Sequence, residues 1–143
     1  MDDILVTIDT PECMPVRKHT GDAGADLVSM KDFDIHPGEK AKVPTGVKVA
    51  IPYRHVGLVF GRSGLATDKG LRPSNCVGVI DSGYRGEIFV PLHNDSKEVQ
   101  HVARYERIAQ LVIVPIALPG FLVVDKLPES SRGEGGFGST GQR

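Results

Sequence analysis

Apolar and polar residues alternate along much of this chain. Val47, Val49 and Ile51 are separated by Lys48 and Ala50, and Val56, Leu58 and Phe60 resume the pattern after a turn. A period of two sends alternate side chains to opposite faces, so each run predicts a half-buried β-strand with the named residues on its buried side. Further strands are predicted over Ile4 to Ile8, Ala25 to Met30, Cys76 to Ile80, Glu87 to Leu92, Ile108 to Ile116 and Phe121 to Val124. Helical periodicity has little room, because 17 glycines and 10 prolines punctuate the chain. The single helix predicted runs from Arg62 to Lys69 and stops at Gly70, a residue suited to the left-handed cap. Short strands separated by Pro-Gly, Thr-Gly and Ser-Gly turns imply an all-β fold, a jelly-roll-like sandwich or barrel. Residues 1–131 read as that one domain and residues 132–143 as a flexible glycine-rich arm.

Composition narrows the partners. A chain of 143 residues buries enough surface for a core without metal or disulfide staples. Its 17 basic and 18 acidic side chains leave a formal charge of -1, which argues against a nucleic-acid partner, since binding that backbone needs surplus cations. A small anion held by a few placed cations remains compatible. Two cysteines, Cys13 and Cys76, suit a reducing compartment, and both read as small buried hydrophobes. No Cys-His cluster has zinc spacing, and the histidines read as surface residues. The start, Met1-Asp2-Asp3, has no basic and apolar leader, and the longest apolar stretch, Leu111 to Val124, is broken by Pro115, Pro119 and Gly120. A cytoplasmic protein without a membrane partner is expected.

Five segments concentrate polar residues beside glycine. They are DAGADL at Asp22 to Leu27, GRSGLA at Gly61 to Ala66, GVIDSGYRGE at Gly78 to Glu87, ERIAQ at Glu106 to Gln110, and RGEGGFGSTG at Arg132 to Gly141. Arg62 and Ser63 offer a cation, a hydroxyl and bare amides at a helix start, where the dipole favours anions; a capped helix with a surface arginine would look the same. Asp81, at a strand end, is either a turn-forming residue or a general base for a bound water. Tyr84 follows it with a ring face for a sugar. Asp26 is either an exposed strand residue or a partner for magnesium, which keeps several waters and needs few carboxylates. Glu106 and Arg107 read as a solvated ion pair and Gln110 as a surface amide. In the arm, Phe137 stands among glycines with Arg132, Ser139 and Thr140 nearby, a chain able to close over a phosphorylated, flat-ringed ligand.

Taken together and in order, the five segments resemble the five motifs of the trimeric dUTP nucleotidohydrolase (dUTPase) family, from Asp22 to Gly141. The resemblance implies hydrolysis of dUTP to dUMP and pyrophosphate with Mg²⁺ on a jelly-roll subunit, in a homotrimer whose sites draw on all three chains. It implies that Asp81 activates the water attacking the α-phosphorus. Tyr84 would pack under the deoxyribose, Asn75 would bond uracil and Phe137 would lie over it. Arg62, Ser63, Gly64 and Gln110 would hold phosphates, Asp26 would bind the metal through water, Arg132 would meet the γ-phosphate, and Gly138, Ser139 and Thr140 would close on the triphosphate. Two positions depart from the family pattern: Gly61 stands where a proline is usual, and Gly83 where many members carry an acid.

Three alternatives remain at this stage. A dCTP deaminase is similar in fold and turn, but its pattern has a catalytic Glu where this chain has Pro91. A non-catalytic regulatory trimer would bind the nucleotide as a switch ligand. A purely structural jelly roll would leave the Arg-Ser-Gly and Phe-Gly-Ser-Thr segments without a use.

Overall fold

The structure is a computed structural model, and it describes residues 3–136 and Gly138. Phe137, Ser139 and Thr140 of the arm lie outside the described residues. The described chain is built of strands with one short helix. β1 (Val6–Ile8) pairs antiparallel with β5 (Val47–Val49), and β3 (Phe33–Ile35) with β10 (Gln100–Val102). A four-stranded sheet runs in the order β2 (Ala25–Val28), β11 (Arg107–Pro115), β6 (His55–Phe60) and β8 (Gly78–Ile80). A three-stranded sheet runs in the order β4 (Lys40–Pro44), β9 (Phe89–Asn94) and β7 (Leu71–Pro73). Helix α1 (Ser63–Lys69) connects β6 to β7 and ends at Gly70, whose φ of 68° is the left-handed stop expected from sequence.

Alternation delivers the core. Leu27, Ile35, Val43, Val47, Leu71, Val90, Leu92, Val102 and Ile108 are essentially sealed from solvent, each such burial contributing about 1.5 to 3 kcal/mol. Asn94 is buried among them with its amide satisfied: Nδ2 donates to the Ile35 and Glu98 carbonyls at 2.8 and 2.7 Å, and Oδ1 accepts from Ser96. It fixes the end of β9.

Several sequence expectations are corrected. Val47, Val49 and Ile51 are buried as read, but on β6 the buried residues are Val56, Gly57 and Val59, while Leu58 is half-buried and Phe60 exposed. Gly57 and Val59 face the core, while Leu58 and Phe60 stand on the opposite face, which is also apolar, so alternation of apolar with polar residues does not mark the buried side. Phe121 to Val124 is not a strand. Phe121 is fully exposed and Val123 nearly so, and the segment pairs with no strand among the described residues. Cys13 is buried, but Cys76 is exposed in a turn with a φ of 62°. His55 and His93 are half-buried rather than on the surface. Among the described residues, no helix is long and apolar enough to cross a membrane.

Candidate active site

Two hollows hold the residues singled out in the sequence. The first opens between β8 and β9, a cavity of about 330 Å³ lined by Asn75, Gly78, Asp81, Tyr84, Phe89 and Pro91 among others. That volume suits a base with its sugar. Its rim is a tight turn closed by backbone and side-chain bonds. The Tyr84 amide donates to the Asp81 carbonyl at 3.1 Å and the Tyr84 hydroxyl to the Glu87 carbonyl at 2.7 Å. The Arg85 guanidinium donates to the Ser82 and Tyr84 carbonyls at 2.7 and 3.1 Å. A Cβ on Gly86 would stand 2.5 Å from the Tyr84 hydroxyl oxygen and 2.7 Å from the ring, so the ring lies where only glycine leaves room. At Gly83 nothing lies within 4 Å, so the acid common in relatives would meet open space. The exposed Asp81 carboxylate stands at the rim of this cradle.

The second hollow is a charged groove of about 400 Å³, lined by Lys18, Asp22, Asp26, Arg62, Ser63, Gly64, Arg107 and Gln110 among others. Arg62 takes the N-cap position of α1 in an extended conformation and makes no side-chain cap, so the first-turn amides at Ser63 and Gly64 keep their donors for a ligand. Its Nε donates to Asp26 Oδ1 at 3.2 Å, and Arg107 Nη1 donates to Asp26 Oδ2 at 3.4 Å. Gln110 Nε2 donates to the Gly61 carbonyl at 2.8 Å, and Gly24 leaves the room its side chain fills. A Cβ on Gly61 would stand 3.1 Å from the Pro73 side chain, a contact that a small shift of that ring would relieve.

Arg107 was missed in the sequence, where it reads as the partner of Glu106. Glu106 instead pairs with Lys69 at 3.1 Å, while Arg107 turns to Asp26. Residues 107 and 110 would face opposite sides of a regular strand. The register of β11 against β2 shifts between Arg107 and Ala109, and this bulge returns Arg107 to the face of Gln110 and Asp26. Lys18 was also missed; it enters from a loop, where no periodicity signals it. Asp26 is not a free exposed carboxylate, being held by two arginines with its side chain 20% exposed.

The structure brings Asn75, Asp81 and Tyr84 together, and separately Asp26, Arg62, Ser63, Gly64 and Gln110. It does not join the two sets within one chain. Asp26 faces Gln110, Gln110 faces Phe60 and Ile80 faces Gly57, so Asp81 lies level with Val56 on the far side of the sheet. Three strand spacings across and four residues along put Asp81 about 20 Å from Asp26. Arg132 bonds locally, its Nε donating to the Gly135 carbonyl at 2.6 Å.

The donor set of the groove suits a divalent cation that arrives with phosphates. Among the described residues no group of three or more His, Cys, Asp or Glu is placed to cage a metal. Asp22 and Asp26 nonetheless offer carboxylates beside cations and bare amides, the partial shell that Mg²⁺ takes up when a substrate supplies the remaining oxygens.

A jelly-roll-like β-fold with a base-sized cradle, a carboxylate at its rim and an arginine-lined anion groove defines a nucleotide-binding class of protein. The dUTPase family model matches residues 11–141. The deoxyuridine 5'-triphosphate nucleotidohydrolase of Cutibacterium acnes is 51% identical, covering 99% of this chain and 94% of that protein. The same-named protein of Leifsonia xyli is 45% identical over 94% of this chain and 91% of its own length. A dUTPase mutant of Staphylococcus bacteriophage 80alpha, solved with dUpNHpp, superposes with a TM-score of 0.89 at 33% identity, covering 99% of this chain and all of that one. The chain belongs to the dUTPase family, enzymes that hydrolyse dUTP and are generally metal-dependent.

Proposed function

We propose that this chain converts dUTP to dUMP and pyrophosphate as a cytoplasmic homotrimer, with neither nucleic acid nor membrane as partner. The work would limit uracil in DNA and supply dUMP for dTMP synthesis. The observation that carries the intersubunit part of this reading is the separation of about 20 Å between Asp81 and Asp26; the threefold count follows from the family resemblance. A general base must stand within one water of the atom it serves, so the cradle of one subunit has to meet the groove of another. Two apolar surfaces support such packing. Leu58, flanked in register by Val79 and Val112, lies beside Phe60 on the outer face of the four-stranded sheet, and Leu118 to Leu127 exposes large apolar side chains.

In this reading Asp81 accepts a proton from water as the water oxygen bonds to the α-phosphorus, and the bond from that phosphorus to the pyrophosphate oxygen breaks. Asn75 pairs with the uracil edge, and the Tyr84 ring packs under the deoxyribose and excludes a 2′-hydroxyl. Cytosine presents a donor where uracil presents an acceptor, which leaves buried groups unpaired at about 1–3 kcal/mol each. Arg62 exchanges Asp26 for phosphate, helped by Ser63, Gly64 and Gln110, while Arg107 keeps Asp26 in place. Asp26 would hold the water shell of a Mg²⁺ that arrives with the triphosphate, and the ion would supply charge neutralisation there. Residues 132–143 close as the arm: Arg132 on the γ-phosphate, Phe137 on the base, and Gly138, Ser139 and Thr140 on the triphosphate. Pro91 in the cradle wall has no ionisable group, which speaks against deamination.

The test is a panel of dUTP, dCTP, dTTP and UTP assayed for pyrophosphate with and without Mg²⁺. Release from dUTP alone, lost without the metal, is expected. Ammonia from dCTP, or tight dUTP binding without turnover, would favour the deaminase or the regulatory switch instead.

A further inference from the structure

The turn from β7 to β8 carries Asn75 into the cradle on few backbone bonds. β7 meets β9 through Leu71 with Asn94, Arg72 with His93, and Pro73 with Leu92. Pro73 and Pro91 both lack an N–H, so the ladder loses donors where it reaches the cradle. Its last rung is the Ser74 amide to the Pro91 carbonyl at 2.7 Å, and the Cys76 amide closes the turn on the Pro73 carbonyl at 3.1 Å. Beside Asn75, Cys76 has a φ of 62°, a left-handed conformation that non-glycine residues hold only where their surroundings enforce it.

Arg72 is the side chain that reaches this turn from β7, the strand leading into it. Its Nε and Nη2 donate to the two oxygens of Asp95 at 2.6 and 3.3 Å, a forked pairing. Its Nη1 reaches the Pro73 carbonyl at 3.4 Å and the Cys76 sulfur at 3.7 Å. Asp95 is anchored in turn: its amide donates to the Gly70 carbonyl at 2.8 Å, and its Oδ1 meets His93 Nδ1 at 2.8 Å. The hydrogen bond from Arg72 is the main cause holding the Asp95 carboxyl below its ordinary range. One guanidinium therefore links the end of β9 to the strained residue next to Asn75.

We propose that Arg72, clamped by Asp95, is a positioning residue for base recognition, holding the 73–76 turn so that Asn75 faces the base. Arg72 lies outside all five glycine-flanked segments, and the proposal rests on the dUTP reading given above. Lysine does not substitute, because a point charge cannot grip Asp95 with two parallel bonds and still reach the turn.

Steady-state kinetics on dUTP with Mg²⁺, alongside thermal melting, test this for wild type, Arg72→Ala, Arg72→Lys, Asp95→Asn and the double variant Arg72→Ala/Asp95→Asn. Arg72→Ala is expected to raise KM about tenfold with kcat within about twofold, and Arg72→Lys to recover little of it. The double variant should be no worse than Arg72→Ala alone, since the two residues act as one unit. A folded Arg72→Ala with unchanged KM, whatever its melting temperature, overturns the proposal. If Arg72→Ala does not fold, the isosteric Asp95→Asn decides by the same KM criterion. A wild-type chain that does not hydrolyse dUTP would sink the activity reading instead. Equal affinity of wild type and Arg72→Ala for dUpNHpp would then overturn the role of Arg72 on its own.

Discussion

The cradle and the groove are built on opposite plans. The cradle is drawn mainly from one stretch, residues 75 to 91, with Lys42 and Val59 beside it, and its turn is fixed by hydrogen bonds from the Tyr84 amide and hydroxyl and the Arg85 guanidinium to backbone carbonyls and by a ring seated over Gly86. The groove gathers residues 18 to 26, 61 to 64 and 107 to 110, and ion pairs through Asp26 hold it in shape. Reading a base edge demands fixed donors and acceptors, because a group left unpaired is what rejects the wrong base. Gathering phosphates demands cations that can change partner. In the proposed reading, rigidity is placed where the base is selected and exchangeable charge where the triphosphate lands.

The sharpest way to break this contrast is to disable each half separately. Asp81→Asn should leave dUTP binding nearly intact while lowering turnover at least about a hundredfold, measured as pyrophosphate release. Arg62→Gln should also fall steeply, but chiefly through KM. Refolding the two variants together should restore part of the activity, because a mixed assembly contains sites with an intact cradle from one chain and an intact groove from another. No recovery would place both halves in the same chain and end the intersubunit reading.

A smaller effect probes the rigidity of the cradle. Gly86→Ala pushes a methyl into the Tyr84 ring and should destabilise the fold by about 1 to 3 kcal/mol, seen in thermal melting. It should also raise turnover of UTP relative to dUTP as the ring leaves the sugar. The smallest effect is expected at Gly83→Asp, where the new side chain meets open space. Stability within about 0.5 kcal/mol of wild type and kcat/KM within about twofold are expected there.

The difference in plan also explains what the sequence could and could not disclose. The turn around Asp81 was legible because its residues are neighbours in the chain, as was the left-handed stop at Gly70. Gln110 and Asp26 were found as segments, but their facing register was not visible. Arg107 was assigned to Glu106 because the bulge that turns it toward Asp26 is a property of pairing with β2, which one strand cannot announce. The buried face of β6 is not legible for a different reason: its outer face is apolar too, so Leu58 and Phe60 look like core without being buried. Cys76 looked like a small hydrophobe because composition carries no sign of a positive φ.

In the proposed intersubunit reading, the distance across the sheet from Asp81 to Asp26 has a consequence for the cell as well as for the site. A polypeptide newly released from the ribosome would carry both half-sites and no working centre. Output would then follow the number of chains that have found one another rather than the number synthesised, so scarce expression would be penalised more than proportionately.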